Sequence, residues 1–132
     1  MTACGASAPL VTVDQLVARC DALKGKPVRL AGYLGTCAGY DCHVYPDKAG
    51  EQAMSGYLRH PEKGATRPNW VGIGGGQEFD RKAASFQNSY VVIWGEVAAD
   101  DCTGDGGTDR STGVEPTEIR AWTPVEGAPA NT

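Results

Sequence analysis

Basic charge is what this 132-residue sequence most plainly lacks. Its 12 Lys and Arg stand against 16 Asp and Glu, a formal charge of −4. A protein that grips a phosphate backbone needs a cationic footprint, so nucleic acid is not an expected partner. Long apolar runs are missing too, and none approaches the roughly 20 residues of a membrane-spanning helix. Histidine is scarce: there are 2, His43 and His60. Neither comes with an encoded base or metal partner, and no Gly-x-Ser-x-Gly elbow or rankable Ser-His-Asp order exists. The glycines of "GIGGG" from Gly72 are followed by no Lys-Ser/Thr, which excludes a phosphate loop and leaves a bend at a strand end. No enzyme activity and no cofactor are therefore expected.

What the chain has in quantity is turn formers, 18 glycines and 8 prolines. That content favours short strands joined by many turns, and the length fits one domain. "TVDQLVARCDALKGKP" carries the clearest helix. Val13, Leu16, Val17, Cys20 and Leu23 share one face, Thr12 and Gln15 form a capping box, and Gly25 with Pro27 ends it. "PVRLAGYLGTC" alternates as a half-buried strand, with Val28, Leu30, Gly32 and Leu34 on the core side. "CHVYP" follows as a second strand, closing a hairpin through a four-residue loop. Residues 46–69 read least clearly, with one short helix at 51–58; a loop this long is usually functional. "WVGIGGG" is a third strand, and "QEFDRKAASFQN" is a short helix with Phe79, Ala83 and Phe86 on one face. "SYVVIWGEVAA" is a central strand and "EPTEIRAWTPV" the last. Residues 1–10 read as a tether, 11–126 as the domain and 127–132 as a tail.

Five cysteines are an odd number, which sets one apart for a separate job. Cys4 is that one. Cys20, Cys37, Cys42 and Cys102 remain as an even set in the folded region, and four cysteines permit three connectivities. Nearness in sequence favours Cys37 with Cys42, leaving Cys20 with Cys102. Zinc is the competing use, with Cys37, Cys42, His43 and His60 as ligands. The C-x4-C spacing is at the edge of the structural zinc range and no second knuckle exists, so no metal is expected.

"TAC" before "GAS" resembles the end of a bacterial lipoprotein signal, the lipobox. The match is carried by Thr2, Ala3 and Cys4. The resemblance implies that Cys4 is lipidated after signal cleavage, with Met1 standing where the signal has been removed. Gly5 in place of Asp implies sorting to the outer membrane, facing the periplasm. "GKPVRLAGYL" and "YVVIWGEV" resemble the strands of small bacterial exported proteins with an OB-like fold, through Gly25, Lys26, Val28, Leu30 and Gly32. That resemblance and the order of elements imply a mainly β, five-stranded OB-like barrel with an N-terminal helix. A small β-sandwich with a packed helix is the alternative.

Two groups of residues are candidates for contact with a partner. Tyr33, Tyr40 and Tyr45, with Tyr57 nearby in sequence, lie where OB barrels take their ligands. Asp100, Asp101, Asp105 and Asp109 crowd one glycine-rich loop. Their spacing fits no calcium motif, and they read as a solvated acidic rim that could steer a basic partner. The expected function is a non-enzymatic, lipid-anchored envelope protein that binds another protein, such as one with a basic surface that it neutralises. A hydrolase using residues 46–69 with His43 or His60, and a metal-binding accessory protein, are the alternatives.

Overall fold

The structure is a computed structural model that describes residues 8–60, 66–104 and 112–123. It is mainly β: one open, largely antiparallel sheet of six strands with a few short helices. The strands are β1 (Leu10–Thr12), β2 (Pro27–Ala38), β3 (Asp41–Tyr45), β4 (Val71–Gly72), β5 (Ser89–Val97) and β6 (Val114–Ala121). Their order is β4-β3-β2-β5-β6, with β1 running parallel to β2. All belong to a single sheet, so two packed sheets do not form among the described residues. Among these residues no helix is long and apolar enough to cross a membrane.

Strand β2 organises the sheet because it is long enough to serve three partners. β5 pairs with Pro27 through Leu34 along one edge. On the other, β3 takes the far half and β1 takes Arg29 through Ala31. An unpaired edge would expose backbone donors and acceptors, and β1 satisfies that stretch. The folded region therefore begins within the segment read as a tether: Ala8 is already buried, and the Arg29 N–H donates to the Pro9 carbonyl at 2.8 Å. The register slips between Leu34 and Cys37, a bulge that bends β2. Ala38 pairs with Asp41, so only Gly39 and Tyr40 close the hairpin, rather than four residues. Gly39 at φ 62° makes the tight turn possible.

The two ends of the sheet approach each other. Ile73, just beyond β4, forms one parallel bridge with Val114 at the start of β6. The Gly74 N–H donates to the Val114 carbonyl at 3.0 Å and the Gly113 N–H to the Gly72 carbonyl at 2.8 Å. This is a bridge, and a continuous ladder does not close the sheet. Leu16, Leu30, Leu34, Val91, Ile73 and Ile93 are fully buried in the core.

Helix α1 (Val13–Ala18) starts at the anticipated capping box: Thr12 Oγ1 accepts from the Gln15 N–H and the Thr12 N–H donates to Gln15 Oε1, both at 3.0 Å. The continuous helix read from periodicity breaks at Arg19 and resumes as α2 (Cys20–Leu23). Cys20 is half-buried and is joined to the buried Cys102 by a disulfide. Helix α3 (Lys48–Arg59) is longer than the 51–58 reading. Asp47 starts it, its Oδ1 accepting from the Gly50 N–H at 2.7 Å. The glycine run after β4 turns the chain into α4 (Gly76–Ala83), with Gly75 at φ 87°. Phe79 and Ala83 are the buried face of α4, which packs on β2 and β6.

Candidate functional site: an aromatic ledge on the outer face

Alternation along β3 settles which side chains leave the core. Cys42 and Val44 are buried inward, so His43 and Tyr45 point outward. The ladder pairs His43 with Gly72 and Val44 with Val71, which puts Trp70 opposite Tyr45. Tyr45 pairs with Tyr33, and Tyr33 with Tyr90. The Trp122 N–H donates to the Tyr90 carbonyl at 3.0 Å, so Trp122 lies opposite Tyr90. One register row therefore crosses the sheet as Trp70, Tyr45, Tyr33, Tyr90 and Trp122. Ring centroids lie 6.0 Å apart for Trp70 and Tyr45, 5.2 Å for Tyr33 and Tyr90, and 6.0 Å for Tyr90 and Trp122. Aromatic pairs at these separations add to what burial alone provides.

Helix α3 covers the middle of the row. Its first N–H, from Lys48, donates to Tyr90 Oη at 3.2 Å, and Met54 is its buried residue. Glu51 approaches Gly35 and Tyr45: a Cβ on Gly35 would lie 3.4 Å from Glu51 Oε2 and 3.0 Å from the Tyr45 ring. Tyr33 is left 6% exposed beneath this cover. The end of the row at β3 and β4 stays half-exposed. There the His43 ring lies 3.7 Å from Trp70 at an interplanar angle of 11°, and the Arg67 guanidinium carbon stands 5.1 Å from the Trp70 ring centroid. Asn69 Nδ2 donates to Asp14 Oδ1 at 2.8 Å, tying the approach to Trp70 back to α1. His43, Tyr45, Trp70 and Arg67 form a ledge of stacked rings under a cation.

Burial holds the Tyr45 phenol neutral, pushing its pKa up to about 12, with the Glu51 and then the Asp41 carboxylates acting in the same direction. Tyr33 is raised for the same kinds of reason: burial first, then Glu51 and Tyr90. A phenol with a raised folded pKa stabilises the fold fully below its unfolded value of 10.0. That contribution falls as pH climbs from there through about 12, because the unfolded chain ionises first. Ultraviolet titration should show a tyrosine ionising near 12 that disappears in Tyr45→Phe. Glu51→Gln should lower it only partway, since burial is the larger cause. A full return to the ordinary value would put the cause in Glu51 instead.

The tyrosines picked from sequence thus have different surroundings. Tyr40 is 72% exposed at the hairpin tip, Tyr45 belongs to the ledge, Tyr33 is buried, and Tyr57 is half-buried on α3. The acidic loop also divides. Asp100 is exposed, whereas Asp101 Oδ1 braces a turn by accepting from the Gly104 N–H at 3.0 Å and from Thr103 Oγ1 at 3.3 Å. Asp105, Asp109 and Cys4 lie outside the described residues. Cys37 with Cys42 and Cys20 with Cys102 form the two disulfides, with Cα separations of 4.0 and 5.9 Å. The hairpin bridge uses both sulfurs that zinc would have needed and fixes Cys42 directly before His43. Among the described residues no trio of His, Cys, Asp or Glu is arranged to hold a metal ion. His60 is exposed at the end of α3.

Trp70, His43 as its stacking partner, and Arg67 are the members that sequence reasoning missed. The available signal was register: aligning "CHVY" with "WVGI" as antiparallel strands brings Trp70 beside Tyr45. No protein-family model, curated protein or solved structure matches this chain.

Proposed function

We propose that this chain is a non-enzymatic, lipid-anchored binding module of the bacterial envelope, built as an OB-like barrel. Its contact surface for a protein partner is the ledge of His43, Tyr45, Trp70 and Arg67. The observation that carries the reading is the ledge itself, on the outer face of β3 and β4. These strands correspond to the second and third of an OB barrel, the face such barrels use for recognition. The parallel Ile73–Val114 bridge supports that correspondence, since it joins the third and fifth barrel strands in such a fold. Trp, Tyr and Arg are the residue types that dominate binding energy at protein interfaces. Two disulfides suit an oxidising compartment, and they leave Cys4 as the cysteine available for the lipid. The charge of −4 favours a partner with a basic surface.

The test is capture from an envelope extract by the immobilised protein, followed by affinity measurement. Trp70→Ala should weaken binding of the captured protein by roughly 30-fold or more, the loss of a central aromatic anchor. An unchanged far-ultraviolet circular dichroism spectrum and a cooperative thermal melt show that the variant is folded. Unchanged affinity in a folded Trp70→Ala protein would remove the ledge from the interface.

A further inference from the structure

We propose that a second outer row, Arg29 and Trp94 with Arg120, rests on the lipid surface and leaves the ledge, further along the sheet, open to a partner. The proposal rests on the lipid-anchored reading above, and it starts from where the chain enters the fold. Arg29 holds the entering chain at that row through two successive carbonyls: its Nε–H donates to the Ala8 carbonyl at 2.8 Å and its backbone N–H to the Pro9 carbonyl at 2.8 Å. Arg29 pairs with Trp94 across β2 and β5. Trp94 lies on the outward side of β5, between the buried Ile93 and Gly95, with the Arg120 guanidinium 5.3 Å from its ring centroid. Ala8, Pro27, Trp94, Glu96 and Thr117 share the wall of a shallow cavity of about 240 Å³.

Chain length makes this placement consequential. Four peptide units connect Cys4 to Ala8, and fully extended they span about 14 Å at most. A lipid on Cys4 therefore keeps Ala8 close to the headgroups in every conformation of the connecting residues. The face carried with Ala8 has the composition of a bilayer interface: a tryptophan, with arginines whose stems can lie along apolar surface. Arg29 and Arg120 there meet Glu96, its pairing partner Glu115 and Glu118, with Lys26 at the rim beside Pro27, so charge alone would not bind the domain and the anchor and the tryptophan set its orientation. Arg29 and Tyr33 are four residues apart on β2, so the ledge row stands about 13 Å further along the sheet. A partner can reach it while the domain stays docked.

The test tethers the full chain chemically. Cys4, the thiol left by the two disulfides, is coupled to maleimide lipid in vesicles of phosphatidylcholine and phosphatidylglycerol. One protein keeps only Trp94 (Trp70→Phe, Trp122→Phe), and another keeps only Trp70 (Trp94→Phe, Trp122→Phe). With bromine-labelled lipid, Trp94 emission should fall by about twofold or more, as for an interfacial ring, while Trp70 emission stays unchanged. Unquenched Trp94, or equal quenching of both, would overturn the proposal. Amine acetylation of the unsubstituted chain gives a second readout that does not depend on the variants folding. Tethering should protect Lys26 several-fold more than Lys48, and equal labelling would also overturn it. The tether replaces cellular lipidation, so a failure of the anchor reading is recognised separately. It would show as a protein, expressed with its own leader, that stays out of detergent whether or not Cys4 is changed to Ser.

Discussion

Replacing Cys20 and Cys102 together by alanine is expected to lower the unfolding free energy by about 4–5 kcal/mol, against about 2 kcal/mol for Cys37 and Cys42. The difference follows from loop size. The first bridge joins residues 82 apart and the second residues only 5 apart, so the first removes far more freedom from the unfolded chain. Cys37, Cys42 and Cys102 are buried, and Cys20 packs against the core, so the lost packing is similar and does not blur the comparison. Small domains have only about 5–15 kcal/mol in total, so the larger loss should bring the domain close to unfolding. Urea denaturation of the two double variants reads the difference. Equal losses, or a larger one at Cys37 and Cys42, would contradict the entropic account.

Gly32→Ala should be among the most damaging single-methyl changes. A Cβ there would lie 2.5 Å from the Tyr45 carbonyl oxygen and 2.6 Å from Val44 Cγ1. The first obstacle is backbone, so relief requires β3 to move away from β2. A loss of about 3 kcal/mol, the upper end for overpacking, is expected. Because Tyr45 sits on the displaced strand, its phenol should also titrate closer to 10.0. Gly56→Ala is the contrast: that position lies within α3, and a Cβ meets nothing within 4 Å. It should stabilise the protein by about 0.5–1 kcal/mol through helix propensity. Thermal melts of both variants decide the matter, and a neutral Gly32→Ala would show that the strands are less closely apposed.

Elements with a strong period were legible in the sequence. The alternation of Val28, Leu30 and Leu34 and the continuous β formers of β5 became what their patterns dictate, and the stripe from Val13 to Leu23 became helix, though in two pieces broken at Arg19. Elements defined by context were not. β1 is three residues long and exists because β3 leaves part of the β2 edge unpaired. Ala31 and Tyr33 alternate outward as expected, yet both are buried. β1 pairs at Ala31, and α3 packs across the same strand near Tyr33. β4 is two residues long, too short for any pattern. The ledge was hidden for the same reason: its members are scattered in sequence from residue 43 to 70, and only the pairing of two short strands aligns them.

Contact with a partner through the ledge is most directly read by placing a photo-cross-linking phenylalanine derivative at position 70 in the cells that make the protein. Position 82 on α4, an exposed site on another side of the domain, serves as the reference. Illumination should give one discrete protein adduct from position 70 that is absent from position 82 and is lost when Arg67→Ala is added. No adduct from position 70, or the same adduct from both positions, would contradict a binding module that works through this surface.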